Sequence, residues 1–349
     1  LAVHNALKTA CPNMQTLWVG GEGGMEARLV ERAGIPFKTI PAAGIHGVAI
    51  RQLPGNLSAI VRGTKTAAGI LDEFKPDVLF FTGGYVAVPL AIAGRKIPSL
   101  LYVPDIEPGM ALKALAYFAK CITVTSDESK QYFSKKTNLV VTGYPVRAEM
   151  TIWNKSAARE HFEIKSGLPV VLVYGGSKGA HSLNVALLAH LASLLERVEL
   201  VHISGELDWS EIETARTKLP KELAERYHAF PYLHEDMGAA LAAGDLVVSR
   251  AGASILGEFP QFGIPAILVP YPYAWRYQKV NADTLTKRGA ALMIEDSKLK
   301  SGLYLTIEKL LETPEKLEAM RAAMIALRTP DAALKIAAEL HKLAGETND

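Results

Sequence analysis

The sequence predicts an α/β protein made of two doubly wound halves that face a cleft. Three observations carry that prediction. Strand and helix patterns alternate along nearly the whole chain, which argues for parallel sheets covered on both faces. The segment Gly143-Tyr144-Pro145-Val146-Arg147 punctuates the chain, and the alternation restarts after it. Each half carries a glycine-rich turn directly after an apolar strand: Thr82-Gly83-Gly84-Tyr85 after Val78-Leu79-Phe80-Phe81, and Gly175-Gly176-Ser177-Lys178-Gly179-Ala180 after Val170-Val171-Leu172-Val173-Tyr174. In open sheets of this kind ligands bind at the carboxyl ends of strands, so both turns are expected to face the cleft.

In the first half the patterns place strands at 16–19, 36–40, 78–81, 99–103, 121–124 and 139–141. Helices are expected between them, near 22–33, 56–74, 86–94, 109–119 and 127–133. In the second half strands are expected at 170–174, 199–204, 229–232, 246–249, 266–269 and 291–294. From Lys300 onward the chain reads as helical, broken at Thr313-Pro314 and Thr329-Pro330. The domains are accordingly set at 1–146 and 147–349, with the last helix packing back on the first. The opening Leu1-Ala2-Val3-His4-Asn5-Ala6-Leu7-Lys8 reads as the middle of a helix, so the strand and turn that open such a domain are expected ahead of Leu1.

At 349 residues the chain is long enough for two substantial cores. Its apolar runs are short. The most apolar stretch, 86–103, is interrupted by Arg95-Lys96 and Pro98, so neither a spanning helix nor a signal peptide is expected. Cys11 and Cys121 have neither metal-ligand nor disulfide-framework spacing, which suits a reducing cytoplasm. Through Arg147 there are 16 Lys/Arg and 10 Asp/Glu, a balance of +6, against 22 and 26, or −4, in the remainder. A basic first half suits either an anionic membrane or a pyrophosphate, or is ordinary surface charge. No nucleic-acid partner is expected.

The glycine turns let a backbone approach a ligand closely, and the helix that follows offers free N–H groups and a positive dipole end. No G-x-G-x-x-G occurs, so a dinucleotide fingerprint is not the reading. The sharper constellation is Val247-Val248-Ser249-Arg250-Ala251-Gly252-Ala253-Ser254, a strand end, a small-residue turn and a helix start. Glu258 lies one helical turn beyond Ser254. It either complements the helix dipole or accepts hydrogen bonds from both hydroxyls of a ribose. Gln278 and Asn281 share a helix face, where amides either read sugar hydroxyls or cap and decorate the helix.

Taken in order, Thr82–Val86, Gly143–Arg147, Gly175–Ala180, Ser249–Ala253 with Glu258, and Gln278 with Asn281 resemble the MurG family of glycosyltransferases. The resemblance spans nearly the whole chain. It implies two Rossmann-like domains in the GT-B architecture. The implied reaction is an inverting transfer of N-acetylglucosamine from UDP-GlcNAc to the 4-hydroxyl of MurNAc in a polyprenyl-pyrophosphate-linked acceptor. That is the step from lipid I to lipid II in peptidoglycan synthesis, performed peripherally on the cytoplasmic face of the cell membrane. The resemblance also implies roles. Ser177 and its turn contact the diphosphate, and Arg147 reaches the nucleotide sugar from the linker. Leu233 offers its backbone to uracil. The segment Ala253, Ser254, Ile255, Leu256, Gly257 and Glu258 holds diphosphate and ribose, and Gln278 and Asn281 meet the sugar. Gly83 and Gly84 line the site from the first domain. The family's Thr-Gly-Gly-His turn, with the histidine proposed for catalysis, corresponds to residues before Leu1. This chain departs from the family at Asp105, which stands about where an Asn is usual, at Tyr144 and at Tyr277.

An inverting transfer needs a base, stabilisation of the leaving diphosphate and alignment of both substrates. No D-x-D pair occurs, so no cofactor and no obligatory metal are expected, and helix N-termini take the charge of the leaving group. Asp105 and Glu107 are candidate bases, or caps of the helix starting near Gly109. Ile45, Val48, Ile50, Leu53, Leu57, Ile60 and Val61 cluster among Arg51, Arg62 and Lys65. This cluster is either core or a membrane-docking stripe. The competing functions are another UDP-sugar glycolipid synthase, an epimerase of the same architecture and a non-catalytic sugar-nucleotide-binding subunit.

Overall fold

The computed structural model describes residues 1–24, 27–44, 51, 53–176 and 179–345. The chain divides into two units, one formed by Leu1–Pro145 together with the chain from Asp331, the other by Val146–Pro330. In the first unit β3 (Leu79–Phe81), β4 (Ser99–Val103), β5 (Cys121–Val124) and β6 (Leu139–Val141) form a parallel sheet in that order, while β1 (Trp18–Gly21) and β2 (Phe37–Ile40) pair in parallel as a separate ribbon. Strands β4 and β5 are buried along their whole length, which is why they read as unbroken apolar runs rather than alternating ones. One face packs against the helices Ala87–Ala93 and Met110–Leu115 through Ala87, Ala91, Leu112 and Leu115. The other face is covered by Val3 of the helix Ala2–Ala10 and by Ile336, Leu340 and Leu343 of the helix Ala332–Gly345. The last helix thus belongs to the first unit although 185 residues, Val146–Pro330, form the second.

The second unit holds β7 (Val170–Tyr174), β8 (Glu199–Ile203), β9 (Tyr227–Phe230), β10 (Leu246–Ser249), β11 (Ala266–Leu268) and β12 (Ala291–Met293). They form one parallel sheet in the order β12-β11-β10-β7-β8-β9. Counted within the unit, this is the 3-2-1-4-5-6 winding of dinucleotide-binding folds, with its reversal between β7 and β10. Connections leave these two neighbours toward opposite faces, which opens a crevice at their carboxyl ends. The glycine turn follows β7 and the Ser249–Ser254 turn follows β10, so the strand order brings the two motifs to that one point.

All twelve expected strands are present. Two are shifted. Pairing of β1 opens where the Trp18 N–H meets Pro36 O at 2.9 Å, later than the apolar pattern suggests, and it continues through Gly20 and Gly21. The expected strand 229–232 runs instead over Tyr227–Phe230, because Tyr227 and Ala229 point into the core and Pro231 has no N–H to continue the ladder. The helix expected over 109–119 is regular only over Met110–Leu115 and then tightens, with Phe118 N–H on Leu115 O at 2.9 Å. The expected helix 127–133 is a 3-10 turn, Asp127–Tyr132.

Candidate functional site

The turn after β7 is shaped by its glycines. Gly179 has φ +76°, and a Cβ on it would lie 2.4 Å from Ser204 O at the end of β8. No side chain with a β-carbon fits there without moving backbone. Ser177 and Lys178 of this turn lie outside the described residues. Beyond it the helix His181–Leu188 begins at Ala180 with no side-chain cap on that residue, and its positive dipole end faces the turn.

That helix is anchored from beneath. Asn184 is buried; its Nδ2 donates to Ser204 O at 2.9 Å and to Asp208 Oδ2 at 2.7 Å. With its Nδ2 so engaged, its Oδ1 accepts from His202 Nε2 at 3.0 Å, and His202 Nδ1 accepts from the Tyr227 hydroxyl at 2.8 Å. Burial pushes His202 down to about 3, so the ring is neutral and serves as a fixed two-way hydrogen-bond bridge. Burial also pushes the Tyr227 hydroxyl up, keeping it a donor.

After β10, Ser249 Oγ donates to Arg250 O at 2.9 Å, and the helix Ile255–Phe262 starts at Ser254, again without a side-chain cap. Its first turn closes through Glu258 N–H on Ser254 O at 2.8 Å. Burial raises the Glu258 carboxyl, opposed by a hydrogen bond from Ser254 and by the Arg147 guanidinium. The structure therefore brings Arg147, Ser254 and Glu258 together, with Ala253, Ile255, Leu256 and Gly257 on the same turn and helix. Arg147 sits at the start of the Ala148–Met150 turn.

Gln278 and Asn281 lie on the helix Trp275–Lys287 and grip the turn after β10. Gln278 Oε1 accepts from the N–H groups of Ala251 at 3.2 Å and Tyr271 at 2.8 Å. Its amide orientation is thereby fixed, and Nε2 is the end it presents elsewhere. Asn281 is fully buried, and its Nδ2 donates to Ala251 O at 3.1 Å. It holds the turn from beneath. Leu233 is half-buried on the loop after β9, linked to the glycine turn through Ser204, whose N–H meets Phe230 O at 3.0 Å.

Gly83, Gly84 and Asp105 belong to the first unit. Gly83 (φ +112°) backs onto Leu112, while Gly84 (φ +83°) faces open space. Asp105, half-buried, is on the loop after β4, the strand beside β3. Thr125 Oγ1 holds this loop by donating to Pro104 O at 2.8 Å. Glu107 is buried against Lys113 Nζ at 3.8 Å. The helix that follows, Met110–Leu115, has Gly109 at its cap position.

The apolar stripe divides. Ile60 is buried with Ala67 and Ile70 in a core over Ile40, whereas Leu57 and Val61 are 58% and 64% exposed. The expectation that the cluster is either core or stripe is corrected to a division: the helix Leu53–Phe74 turns Ile60 to the core and Leu57 and Val61 to solvent, beside exposed Arg62 and Lys65. Ile45, Val48 and Ile50, and the side chain of Leu53, lie outside the described residues. No described helix is long and apolar enough to cross a membrane.

Sequence reasoning missed Ser182, Asn184, Asp208 and Asp296. They carry no motif. Arg250 was seen only as part of a turn.

Comparison with known proteins gives a consistent result. Residues 1–124 match the glycosyltransferase family 28 N-terminal domain and residues 170–336 match the glycosyltransferase family 28 C-terminal domain. A UDP-N-acetylglucosamine–N-acetylmuramyl-(pentapeptide) pyrophosphoryl-undecaprenol N-acetylglucosamine transferase from Roseiflexus sp. (strain RS-1) is 40% identical, covering 94% of this chain and 83% of the relative. The protein of the same name from Desulforudis audaxviator (strain MP104C) is 36% identical, covering 99% and 95%. Among solved structures, Acinetobacter baumannii MurG is 25% identical with a TM-score of 0.75, covering 98% of this chain and 94% of its own. UDP-GlcNAc 2-epimerase from Neisseria meningitidis, solved with UDP-GlcNAc, is 14% identical with a TM-score of 0.67 over 98% and 95%, a likeness of fold alone.

Proposed function

This chain belongs to glycosyltransferase family 28, in its MurG branch, and from that premise we propose how its site performs the transfer. The reaction is the transfer of N-acetylglucosamine from UDP-GlcNAc to MurNAc in a polyprenyl-pyrophosphate-linked acceptor, lipid I to lipid II. The observation that carries the assignment of the donor side is the meeting of two uncapped helix starts at the strand-order reversal of the second unit.

In this reading the diphosphate lies at those helix starts. Their dipoles are fixed before the reaction, so they stabilise the negative charge that grows on the departing UDP without reorganising. Glu258 accepts from both ribose hydroxyls, and the nearby Arg147 guanidinium keeps its buried carboxyl closer to the ionised form. Gln278, its oxygen held by two backbone N–H groups, donates Nε2–H to a sugar hydroxyl oxygen. Leu233 meets uracil through its backbone. The donor side uses no metal; the charge of the leaving group is carried by backbone dipoles. On the first unit, the open backbone at Gly84 and the carboxylate of Asp105 share the carboxyl edge of β3 and β4 and receive the acceptor. Asp105 is the candidate base. The exposed pair Leu57 and Val61 beside Arg62 and Lys65 docks this unit on the anionic cytoplasmic face of the membrane, where the acceptor lipid resides.

The test is transfer from radiolabelled UDP-GlcNAc to a short-chain lipid I analogue, run with and without EDTA. Label in a disaccharide product, undiminished by EDTA, is expected. Transfer only to diacylglycerol, or release of free sugar without a product, would overturn the acceptor assignment; loss with EDTA restored by Mg²⁺ would overturn the metal-free donor site.

A further inference from the structure

The Arg250 side chain is 9% exposed and sits under the crevice rather than in it. Its NH1 donates to Asp296 Oδ1 at 2.5 Å and to Val269 O at 3.2 Å, and its NH2 donates to Ser182 Oγ at 2.8 Å. Ser182 Oγ in turn donates to Asp296 Oδ1 at 2.7 Å. The guanidinium also lies 5.3 Å from the centre of the Tyr271 ring. The three hydrogen-bond partners come from three places. Ser182 is the second residue of the helix after β7; Val269 follows β11; Asp296 opens the turn after β12; Arg250 itself leaves β10.

The ladder between β7 and β10 ends at the Tyr174–Ser249 pair, and beyond it the two helices leave toward opposite faces, so a further tie between their starts has to come from the turns themselves. Arg250 supplies that tie. Its charge is met by Asp296, so it is not a spare cation waiting for phosphate. Its planar fork matches three acceptors at set angles, which a lysine ammonium on a flexible stem does not. Ala251, the next residue, is held on the other side by Gln278 and Asn281. The turn is thus clamped on both sides of one peptide.

We infer that Arg250 is a positioning residue that sets the separation of the two helix starts, and with it the fit of a nucleoside diphosphate between them. The inference rests on the reading of the second unit as the donor-nucleotide site. It predicts a selective defect. Loosening the tie should harm ligands with two phosphates and spare a nucleoside with none, because a nucleoside held at Glu258 and near Leu233 does not have to span the two helix starts.

The experiment measures UDP and uridine binding to the full chain by calorimetry and by competition, for the parent, Arg250→Lys and Ser182→Ala. Arg250→Lys keeps the charge beside Asp296 and loses the span. It should weaken UDP about tenfold or more while uridine stays within about twofold, and the KM for UDP-GlcNAc should rise with the KM for acceptor unchanged. Ser182→Ala removes one arm of the tie and should give a smaller loss of the same kind, which keeps the test open if Arg250→Lys folds poorly. A UDP affinity within twofold of the parent in both variants overturns the inference. So does an equal loss of UDP and uridine, the sign of general damage. A parent chain that binds neither ligand overturns the nucleotide reading itself.

Discussion

The two units solve different problems with different surfaces. In the second, described polar side chains that hold the crevice turns are engaged with one another or with backbone: Asn184 with His202, Arg250 with Asp296 and Ser182, Gln278 and Asn281 with Ala251. In the first, the residues read as the docking face stand out toward solvent. Leu57 and Val61 are both more than half exposed. A small, charged ligand is recognised by groups locked in place before it arrives, because each hydrogen bond then costs little ordering. A lipid surface has no fixed positions to match, and apolar area with neighbouring cations suffices. Single changes should therefore be severe in the second unit and mild in the first.

The sharpest way to break that contrast is Gly179→Ala. The new Cβ would meet Ser204 O at 2.4 Å at a φ of +76°, so both the turn and the end of β8 must shift. Strain of this kind costs about 1–3 kcal/mol before any clash, and displaced N–H groups no longer meet the diphosphate. A loss of about 100-fold in kcat/KM for UDP-GlcNAc is expected, with near-UV circular dichroism confirming a folded chain. Activity within threefold of the parent would mean that this turn is not preorganised for the donor.

How much of this contrast was legible follows from sequence distance. The strands were legible because parallel, doubly covered strands are continuous β-branched and aliphatic runs, as in Val170–Tyr174 and Leu246–Ser249. The turns were legible because glycine has few uses at a strand's end. The tie at Arg250 was not, since its partners stand 46 and 68 positions away and neither belongs to a pattern. The buried grip of Asn281 on Ala251 was hidden for a related reason: helical spacing gives a shared face with Gln278 but not which neighbour that face meets. The division of Leu57, Ile60 and Val61 was not legible because i, i+3, i+4 spacing spans a broad arc, and the helix buries the line through Ile60, Ala67 and Ile70 while Leu57 and Val61 stay exposed.

Glu258→Gln sharpens the contrast next, because it separates binding from stability. Burial raises the folded-state value of this carboxyl, so ionised Glu258 opposes folding; any stability it contributes is present at low pH and lost as pH rises through the raised value. The amide should leave thermal stability equal or higher. Donor binding should move the other way, by about tenfold, since a charge-assisted acceptor of two hydroxyls contributes roughly 1.5–3 kcal/mol. In the parent, donor KM should rise as pH falls through the raised carboxyl value, and in the variant that limb should be flat. Equal KM values and equal pH profiles in the two proteins would remove Glu258 from the ribose.

The smallest effects belong to the first unit, and their smallness is the point. Leu57→Ser and Val61→Ser act on side chains already more than half exposed, so neither opens a cavity and the fold should not register them. Complete burial of such a side chain is worth about 1.5–3 kcal/mol, but a residue that only enters the headgroup boundary gains a fraction of that, about 0.7 kcal/mol. Each change should reduce partition onto vesicles containing anionic lipid about threefold, and the two together about tenfold, because separate residues dipping into a fluid interface add. UDP affinity should stay at the parent value, since both positions lie outside the second unit. Co-sedimentation at two salt concentrations distinguishes the contributions: the apolar part persists at high salt, while attraction from Arg62 and Lys65 is screened. If the double variant co-sediments like the parent at both salts, this helix face does not meet the membrane, and the first unit's exposed apolar residues serve some other contact.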